Sequence, residues 1–334
     1  MMGISVGDVG ERLLVQTIRG LVGEPRVVGD VGPGDDAAVL HTSTNRQVWS
    51  VDRQREGMHF ESNWLSHTEI GHRAVTIAAS DVWAMGAEPR WVLCAVEVPA
   101  ELAVTEFEDL VRGLGLGAQT AGAEIVGGDI GLGSKLAIVT TVGGELVDGR
   151  PPLLRSQAVP GDELWVVGGI GLAAAGRLVL ANGSSAPGDV EMSCVEAFRC
   201  PRTPVDFCRW AARSSQVHAM MDISDGLGLD LHRLCEASAV GAEVDGDVLV
   251  DVVPTSGETP ASWAPLDLAL QGGDDYAMLC ATSPGADVVT AAAGVTARRI
   301  GKVTTPDLGI VLATGGSRGP LPATGWDPFR GAAE

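Results

Sequence analysis

The sequence predicts an α+β protein of two domains, in each of which a sheet carries helices on one face. The first observation is size, because 334 residues, 45% of them hydrophobic, can fill about two hydrophobic cores. The second is that apolar patterns of strand period and of helix period alternate through both halves of the chain. The third is a turn-rich segment, Val147–Gly161, which predicts a boundary between one domain at 1–149 and another at 150–334.

In the first half, the spacing of apolar residues predicts helices at Val9–Leu21, Thr68–Met85 and Thr105–Ala121. Thr68 is predicted as the N-cap of the second of these helices, and Gly86 as the residue that ends it. Strand patterns in this half are predicted at 37–40, 47–52, 91–98, 124–126 and 136–146.

The second half repeats the alternation of strands and helices. Strand patterns are predicted at 163–167, 217–223, 242–245, 276–280, 297–303 and 308–312. Helices are predicted at 172–180, 204–213 and 227–237. The segment "ANGSSAPGD", 181–189, is predicted as a loop because of its turn residues.

Charge and cysteine content narrow the classes of function. Lys and Arg number 23 against 43 Asp and Glu, and the net charge of −20 predicts no nucleic-acid partner and no membrane partner. The six cysteines form no C-x-x-C pair, and the chain does not begin like a signal peptide. The longest charge-free apolar run is too short to span a bilayer. We therefore expect a cytoplasmic protein.

Aspartates recur at predicted turns and strand ends, together with glycine in "VGPGDDAAV", "VGGDI", "DISDGL" and "QGGDDYAML", and without glycine in "SVD". Each of these aspartates alone is more often a turn residue than a ligand. Ser224 and Asp225 alone are also explained by helix capping and the helix dipole. Asp81 alone is explained by a carboxylate at a helix end that turns to water or pairs with an Arg. Together, however, seven aspartates fall mostly at predicted strand ends or helix termini. They are Asp35, Asp36, Asp52, Asp81, Asp129, Asp222 and Asp225.

These carboxylates would repel one another unless cations lie among them. Asp81 continues the apolar helix face of Ile70, Ala74 and Ile77, and an unpaired charge buried there costs several kcal/mol. Oxygen ligands without a His or Cys cluster favour Mg²⁺, which shares its coordination shell readily with phosphates. The neighbouring glycines let backbone N–H groups approach a polyphosphate. The sequence thus predicts a magnesium–nucleotide site.

Two other nucleotide motifs are disfavoured. The chain has no Walker A sequence, which excludes a P-loop kinase. "GGIGLAAAG", 168–176, loosely matches a dinucleotide fingerprint, but the acid that should follow at a strand end is Asp189, in the predicted loop.

Eight segments occur in an order that resembles the thiamine-monophosphate kinases, from about Glu11 to Phe329. They are "VGPGDDAAV", "SVDRQREGMHF", "AASDVWAMGAEPR", "VGGDI", "LLRSQAVPGD", "DISDGLGLDL", "QGGDDYAML" and "GWDPF". The resemblance implies an aminoimidazole ribonucleotide synthetase-like fold, with an N-terminal domain that dimerises and a C-terminal α/β domain. It implies ATP-dependent phosphorylation of thiamine monophosphate to thiamine diphosphate, with no phospho-enzyme and with the nucleotide at the dimer interface.

The resemblance also implies roles for individual residues. Metal ligands would be Asp35, Ser50, Asp52, Asp81, Asp129, Asp222 and Asp225, and Asp36 joins them as the neighbour of Asp35. ATP would contact Gly128, Asp129, Arg155 and Ser224, and thiamine monophosphate would contact His59, Asp274 and Trp326. The residues expected to carry catalysis are Asp52, Asp129, Asp225 and Arg155.

The chain departs from the family pattern at a few positions. Val51 replaces a hydroxyl residue, and Asp274 replaces a longer Glu. Arg53, Gln54 and Arg55 stand where more apolar residues are usual. Two alternatives therefore stay open, namely a related ATP-dependent synthetase with another small substrate, and a nucleotide-binding protein without catalysis.

Overall fold

The computed structural model describes residues 16, 31, 35–41, 46–147, 149–183, 188–250 and 264–329. The predicted helix at Val9–Leu21 lies outside these residues, apart from Gln16. No helix in the described part of the chain is long and apolar enough to cross a membrane.

The first sheet has five strands in the order β1-β2-β5-β3-β4, with β3 and β4 parallel and the other pairs antiparallel. The strands are β1 (Ala38–His41), β2 (Arg46–Arg55), β3 (Ala87–Val98), β4 (Glu124–Leu132) and β5 (Ala137–Leu146). All five were predicted, but β2 and β4 extend beyond Asp52 and Asp129. The prediction that these two aspartates end their strands was therefore wrong, because both strands stay paired with a neighbouring strand beyond the aspartate, β2 to Arg55 and β4 to Leu132.

Two helices pack together beside this sheet, α1 (His67–Ala84) and α2 (Val104–Ala121). The N-cap of α1 is Ser66, which forms a capping box with Glu69, so the prediction of Thr68 was two residues late. Gly113 allows the two helices to approach closely, since a Cβ there would lie 2.1 Å from the carbonyl oxygen of Thr68.

The second sheet has seven strands in the order β12-β11-β8-β10-β6-β9-β7. Its strands are β6 (Glu163–Val167), β7 (Val217–Ile223), β8 (Gly241–Asp245), β9 (Ala277–Thr282), β10 (Ala297–Thr304), β11 (Ile310–Thr314) and β12 (Ser317–Pro320). Its helices are α3 (Leu172–Asn182), α4 (Asp189–Arg199), α5 (Val205–Arg213), α6 (Leu227–Ser238), α7 (Gly246–Val250), α8 (Pro265–Gln271) and α9 (Val288–Ala291).

Helix α4 was not predicted. Asp189 and Glu191 lie in its first turn, and it buries Cys194, Val195 and Phe198 at helical spacing. The preceding turn residues dominated the sequence pattern. Helices α7, α8 and α9 and strand β12 were also missed, because short elements carry little periodic signal.

Helix α1 lies between the two sheets, in contact with β2, β3 and β5 on one side and with β7 on the other. The core around it joins Val75 and Val142 of the first half to Met220 and Cys280 of the second. Side chains alternate along β7, so Met221 and Ile223 face the other core, against α6. Asp222 therefore shares the face of Met220 and meets α1.

Candidate active site

One cavity of about 1130 Å³ lies between the two sheets and gathers most of the predicted residues. Those that line it are Asp52, His59, Asp81, Asp222, Ser224, Asp225, Asp274 and Trp326. Ser50 and Arg155 lie behind this lining, where Ser50 donates a hydrogen bond to Asp81, and Arg155 pairs with Asp36. The fold thus brings together side chains as distant in the sequence as Asp52 and Trp326.

Three carboxylates from three different elements converge at the centre of the site. Asp36 precedes β1, Asp81 lies in the last turn of α1, and Asp222 lies near the end of β7. Each offers an oxygen within 4.8 Å of the others. Asp222 is 2% exposed, and its Oδ2 accepts no hydrogen bond from the described residues. A buried oxygen without a donor, beside two other carboxylates, fits a divalent cation such as Mg²⁺.

The electrostatics of this cluster favour a bound cation. Burial raises the pKa of Asp81 and of Asp222 well above the usual range, and the neighbouring carboxylates raise both further. Burial likewise raises the pKa of Asp52 to about 6 and, together with the charge of Asp36, that of Asp35 to about 7. A metal ion would reverse these shifts, because it stabilises the ionised carboxylates.

Arg155 is the cation that the described residues place at this cluster. Its Nη2 and Nε donate to the two oxygens of Asp36, at 2.6 and 3.1 Å, and its backbone N–H donates to Asp35 at 3.2 Å. Burial disfavours the charged guanidinium, but the facing Asp36 offsets this and keeps the pKa of Arg155 above its ordinary value. Arg155 thus stays charged beside the carboxylates, where it can bind phosphate oxygens.

The turn at Ser224–Asp225 is held by two residues that sequence reasoning missed. Asp230 accepts hydrogen bonds from the backbone N–H groups of Ser224 and Asp225, at 3.2 and 3.1 Å. Arg233 Nη1 pairs with Asp225 at 2.6 Å and with Asp230 at 2.8 Å. One signal in the sequence could have identified this pair. Asp230 and Arg233 are spaced i,i+3 on a helix that begins just after a turn of Asp and Gly.

The same turn anchors the other end of the cavity. The carbonyl of Ser224 accepts from the N–H of Asp274 at 2.8 Å, and the carbonyl of Asp225 accepts from the N–H of Trp326 at 2.9 Å. Gly273 and Gly325, which precede these two residues, lie so close that a Cβ would come within 2.6 Å of the same carbonyl oxygens. The glycines of "GGDDY" and "TGW" are therefore needed for this approach.

His59 and Trp326 form an aromatic pair in the cavity, with ring centroids 5.6 Å apart and planes tilted by 59°. His59 Nδ1 accepts from the N–H of Arg55 at 3.0 Å, and burial lowers the pKa of His59. The ring is therefore neutral at pH 7, with its proton on Nε2. An aromatic ring and a hydrogen-bonding group can bind in this part of the cavity.

Gly128 and Asp129 are not among the described residues that line the cavity. Asp52 aligns across the first sheet with the buried Thr140, so its side chain is on the inner face, toward α1. Asp129 pairs with Ala95 of β3, Ala95 with Val139 of β5, and Val139 with Arg53 of β2. Ala95 and Val139 are exposed, so Asp129 is on the outer face of the sheet. Three strand spacings, roughly 14 Å, separate the strands of Asp52 and Asp129. Within one chain, Asp52 and Asp129 thus lie on opposite faces of the sheet.

Asp275 is a further buried carboxylate that the sequence pattern did not single out. It accepts from the N–H groups of Gly171 and Ala173, at 2.6 and 3.2 Å, and so caps α3. The "GGIGLAAAG" segment therefore holds a protein carboxylate at the start of its helix, and burial raises the pKa of Asp275 to about 8.

The shifted pKa values of the buried carboxyl and imidazole groups predict how the stability of the metal-free protein depends on pH. Asp35, Asp230 and Asp275 have a folded pKa of about 7 to 8 against the ordinary aspartate value of 3.8, so the folded protein binds protons that the unfolded chain releases. Stability should therefore fall as pH rises from 6.5 to 8.5. His59 and His72, whose pKa burial lowers, reduce stability only below about pH 6.5.

The measurement is thermal melting in EDTA across this pH range. We expect Tm to fall by roughly 5 °C or more. MgCl₂ should raise Tm more at pH 8.5 than at pH 6.5, because the cation replaces protons at the cluster. A metal-free Tm that rises with pH would contradict the shifts.

Comparisons with known proteins identify the family of the chain. The family model "AIR synthase related protein, N-terminal domain" matches residues 34–146, and "AIR synthase related protein, C-terminal domain" matches residues 159–312. The thiamine-monophosphate kinase of Mycobacterium tuberculosis is 34% identical over 262 residues, 76% of this chain and 75% of the relative. That of Corynebacterium glutamicum is 32% identical over 288 residues, 84% of each chain.

The fold comparison agrees with the sequence comparison. The solved structure of AaThiL complexed with AMPPCP and TMP matches with a TM-score of 0.83 and 25% identity, over 98% of this chain and 99% of that one. The two-domain fold predicted from the sequence is thereby confirmed. Similarity at this level over most of both chains establishes kinship, and the chain belongs to the thiamine-monophosphate kinase family.

Proposed function

We propose that the protein transfers the γ-phosphoryl group of ATP to thiamine monophosphate, giving ADP and thiamine diphosphate. The observation that carries the proposal is the cavity in which buried carboxylates, backed by Arg155, lie near an aromatic and acidic pocket. Its relatives are thiamine-monophosphate kinases, and AaThiL was solved with AMPPCP and TMP. ATP is therefore the phosphoryl donor and thiamine monophosphate the acceptor.

The carboxylate end of the cavity is suited to the polyphosphate of ATP. Asp36, Asp81 and Asp222, with Asp52 nearby, would hold Mg²⁺, which would neutralise phosphate charge and draw donor and acceptor together. Arg155 would bind phosphate oxygens with a guanidinium already held in place by Asp36. The Ser224–Asp225 turn, fixed by Asp230, would contact the nucleotide from the other domain.

The acceptor end requires little proton chemistry. An oxygen of the thiamine monophosphate phosphate attacks the γ-phosphorus, and the bond to the β,γ-bridging oxygen breaks to release ADP. That acceptor oxygen is already ionised at neutral pH, so no general base is needed. Trp326 and His59 orient the thiamine rings, and Asp274 binds their cationic or amine groups. Positioning and charge neutralisation then carry the direct transfer, as in other phosphoryl-transfer enzymes.

A second copy of the chain would complete the site. The outer face of the first sheet exposes an apolar patch formed by Trp49, Val51, Trp91, Leu93 and Val139. Trp49 and Trp91 stack across Gly143, with ring centroids 6.1 Å apart. Asp129 lies on this face, in an edge strand. A homodimer that covers the patch would bury the tryptophans and place Asp129 of one copy against the other.

Leu93→Glu tests this dimer. A charge at the centre of the patch should convert the dimer to a monomer, because burying it unpaired costs several kcal/mol. Analytical ultracentrifugation would measure the mass. Val104→Glu, at an exposed position at the start of α2, is the matched control and should leave the dimer intact. A wild-type protein that is monomeric at micromolar concentration would contradict the proposal.

The domain boundary and the compartment belong to the same proposal. We place the boundary at 149/150, since the strands of the first sheet end at 146 and those of the second begin at 163. All six cysteines are free thiols, which supports a reducing compartment such as the cytoplasm.

An acceptor panel tests the kinase activity. Purified protein, ATP and MgCl₂ are incubated with thiamine monophosphate, thiamine, AMP or no acceptor, and the products are separated by chromatography. We expect thiamine diphosphate and ADP in equal amounts with thiamine monophosphate alone. ADP without thiamine diphosphate would favour a related synthetase with another substrate, and binding of ATP without any product would favour a non-catalytic protein.

A further inference from the structure

Arg73 is a fully buried cation that the kinase scheme above does not use. It lies in α1, its side chain is 0% exposed, and its guanidinium stacks over Phe198, with Cζ 4.7 Å from the ring centroid. A guanidinium at such depth requires a partner for each of its faces and edges, since burying it unpaired is costly.

Arg73 obtains these partners from a strand, a helix and a loop, in both halves of the chain. Nε donates to Gln54 Oε1 in β2 at 3.2 Å, and Nη1 donates to the carbonyl of Phe198 in α4 at 2.5 Å. Nη2 forms an ion pair with Asp274 Oδ1 at 2.5 Å, without the geometry of a hydrogen bond. The planar fork of arginine can reach all three partners at once, whereas the single nitrogen of lysine cannot.

Asp274 is held in a backbone conformation that needs such support. Its φ is +69°, and that of Tyr276 is +53°, both in the left-handed region that non-glycine residues rarely adopt. Besides the ion pair, Tyr276 Oη donates to Asp274 Oδ1 at 3.1 Å. The Asp274 side chain is 30% exposed and lines the cavity, so part of its carboxylate remains open to a ligand.

We propose that Arg73 is a positioning residue for the acceptor, which fixes the carboxylate of Asp274 where it binds the cationic, amine-bearing rings of thiamine monophosphate. The inference rests on the proposed function. Among the described residues Arg73 forms no hydrogen bond or ion pair with Asp36, Asp81 or Asp222, and only its charge acts on Asp52, so its larger effect should fall on the acceptor.

A double-mutant cycle tests the inference, with Arg73→Met, Asp274→Asn and the combined variant. Each single change should raise KM for thiamine monophosphate roughly 10- to 100-fold, the range expected for one hydrogen bond to a charged group. The combined variant should be no worse than either single one, because both changes remove the same arrangement. KM for ATP should change less than about threefold, and Arg73→Lys should be intermediate.

Controls separate positioning from stability. Asp162→Asn removes another buried carboxylate, which pairs with His218 at 2.9 Å outside the cavity lining, and should lower Tm without raising KM for the acceptor. If Arg73→Met fails to fold, Arg73→Lys and Asp274→Asn carry the test. Effects that multiply in the combined variant, or equal rises in KM for both substrates, would overturn the inference.

Binding of thiamine monophosphate alone, measured by calorimetry without ATP, separates this inference from the proposed function. A wild-type protein that binds thiamine monophosphate but makes no thiamine diphosphate contradicts the kinase activity and leaves the role of Arg73 testable by affinity. Wild-type binding that Arg73→Met leaves unchanged overturns the inference alone. A wild-type protein that neither binds thiamine monophosphate nor makes thiamine diphosphate overturns both.

Discussion

Asp222→Asn should lower kcat by roughly 10³-fold or more, a loss of about 4 kcal/mol of transition-state stabilisation. Asp222 is buried, its Oδ2 has no donor among the described residues, and its carboxylate meets Asp36 and Asp81. Asparagine keeps the shape but removes the charge and directs an amide toward the cation. Steady-state kinetics would measure the loss of kcat, and Mg²⁺ titration by calorimetry would measure the loss of Mg²⁺ affinity.

The stability of this variant should change in the opposite direction. Without metal, Asp222 is a buried carboxylate beside other carboxylates, so Asp222→Asn should melt at the same temperature as the wild type or higher. Asp206→Asn, on the exposed surface of α5, is the matched control and should change neither kcat nor Mg²⁺ affinity. A variant of Asp222 with near wild-type turnover would show that the cluster is structural.

Asp129→Asn should also lower kcat by orders of magnitude, although Asp129 is outside the cavity of its own chain. The reason is that the proposed dimer brings Asp129 of each copy to the site of the other. Mixing inactive Asp129→Asn with inactive Asp222→Asn, followed by subunit exchange, should then restore activity. Half of the dimers would be mixed, and each mixed dimer would have one intact site, so about a quarter of the wild-type activity is expected.

The mixing experiment has two informative controls. Asp81→Asn mixed with Asp222→Asn should regain no activity, because both residues lie in the same cluster of one chain. Full activity of Asp129→Asn alone would remove this residue from the catalytic set. Loss of activity in the variant without recovery on mixing would place its role within its own chain.

Much of the fold could be predicted because long elements carry clear periods. β6 and β7 were predicted to the residue, and α1 and α2 to within one residue at each end. The signal failed where local chemistry competed with periodicity. The turn residues before Asp189 hid α4, and the glycine beside Asp129 suggested the end of a strand that in fact continues to Leu132.

The candidate active site was likewise predictable only in part. Repeated Gly–Asp turns predicted a carboxylate cluster, and the structure brings Asp36, Asp81 and Asp222 together from three elements. The supporting contacts were not predictable, because they join residues distant in the sequence and leave no local pattern. Arg73 is 201 positions from Asp274, and its burial depends on a core formed by both sheets. Asp230 was hidden for a different reason, since it resembles an ordinary polar residue of a helix.

The transfer of label from [γ-³²P]ATP tests the central claim most directly. Protein, labelled ATP, MgCl₂ and thiamine monophosphate are quenched at short times, and the label is followed in thiamine diphosphate, inorganic phosphate and protein. Direct transfer predicts one labelled thiamine diphosphate per ADP formed, no labelled protein, and no reaction in EDTA. Label on the protein at short times, or label in inorganic phosphate with none in thiamine diphosphate, would contradict it.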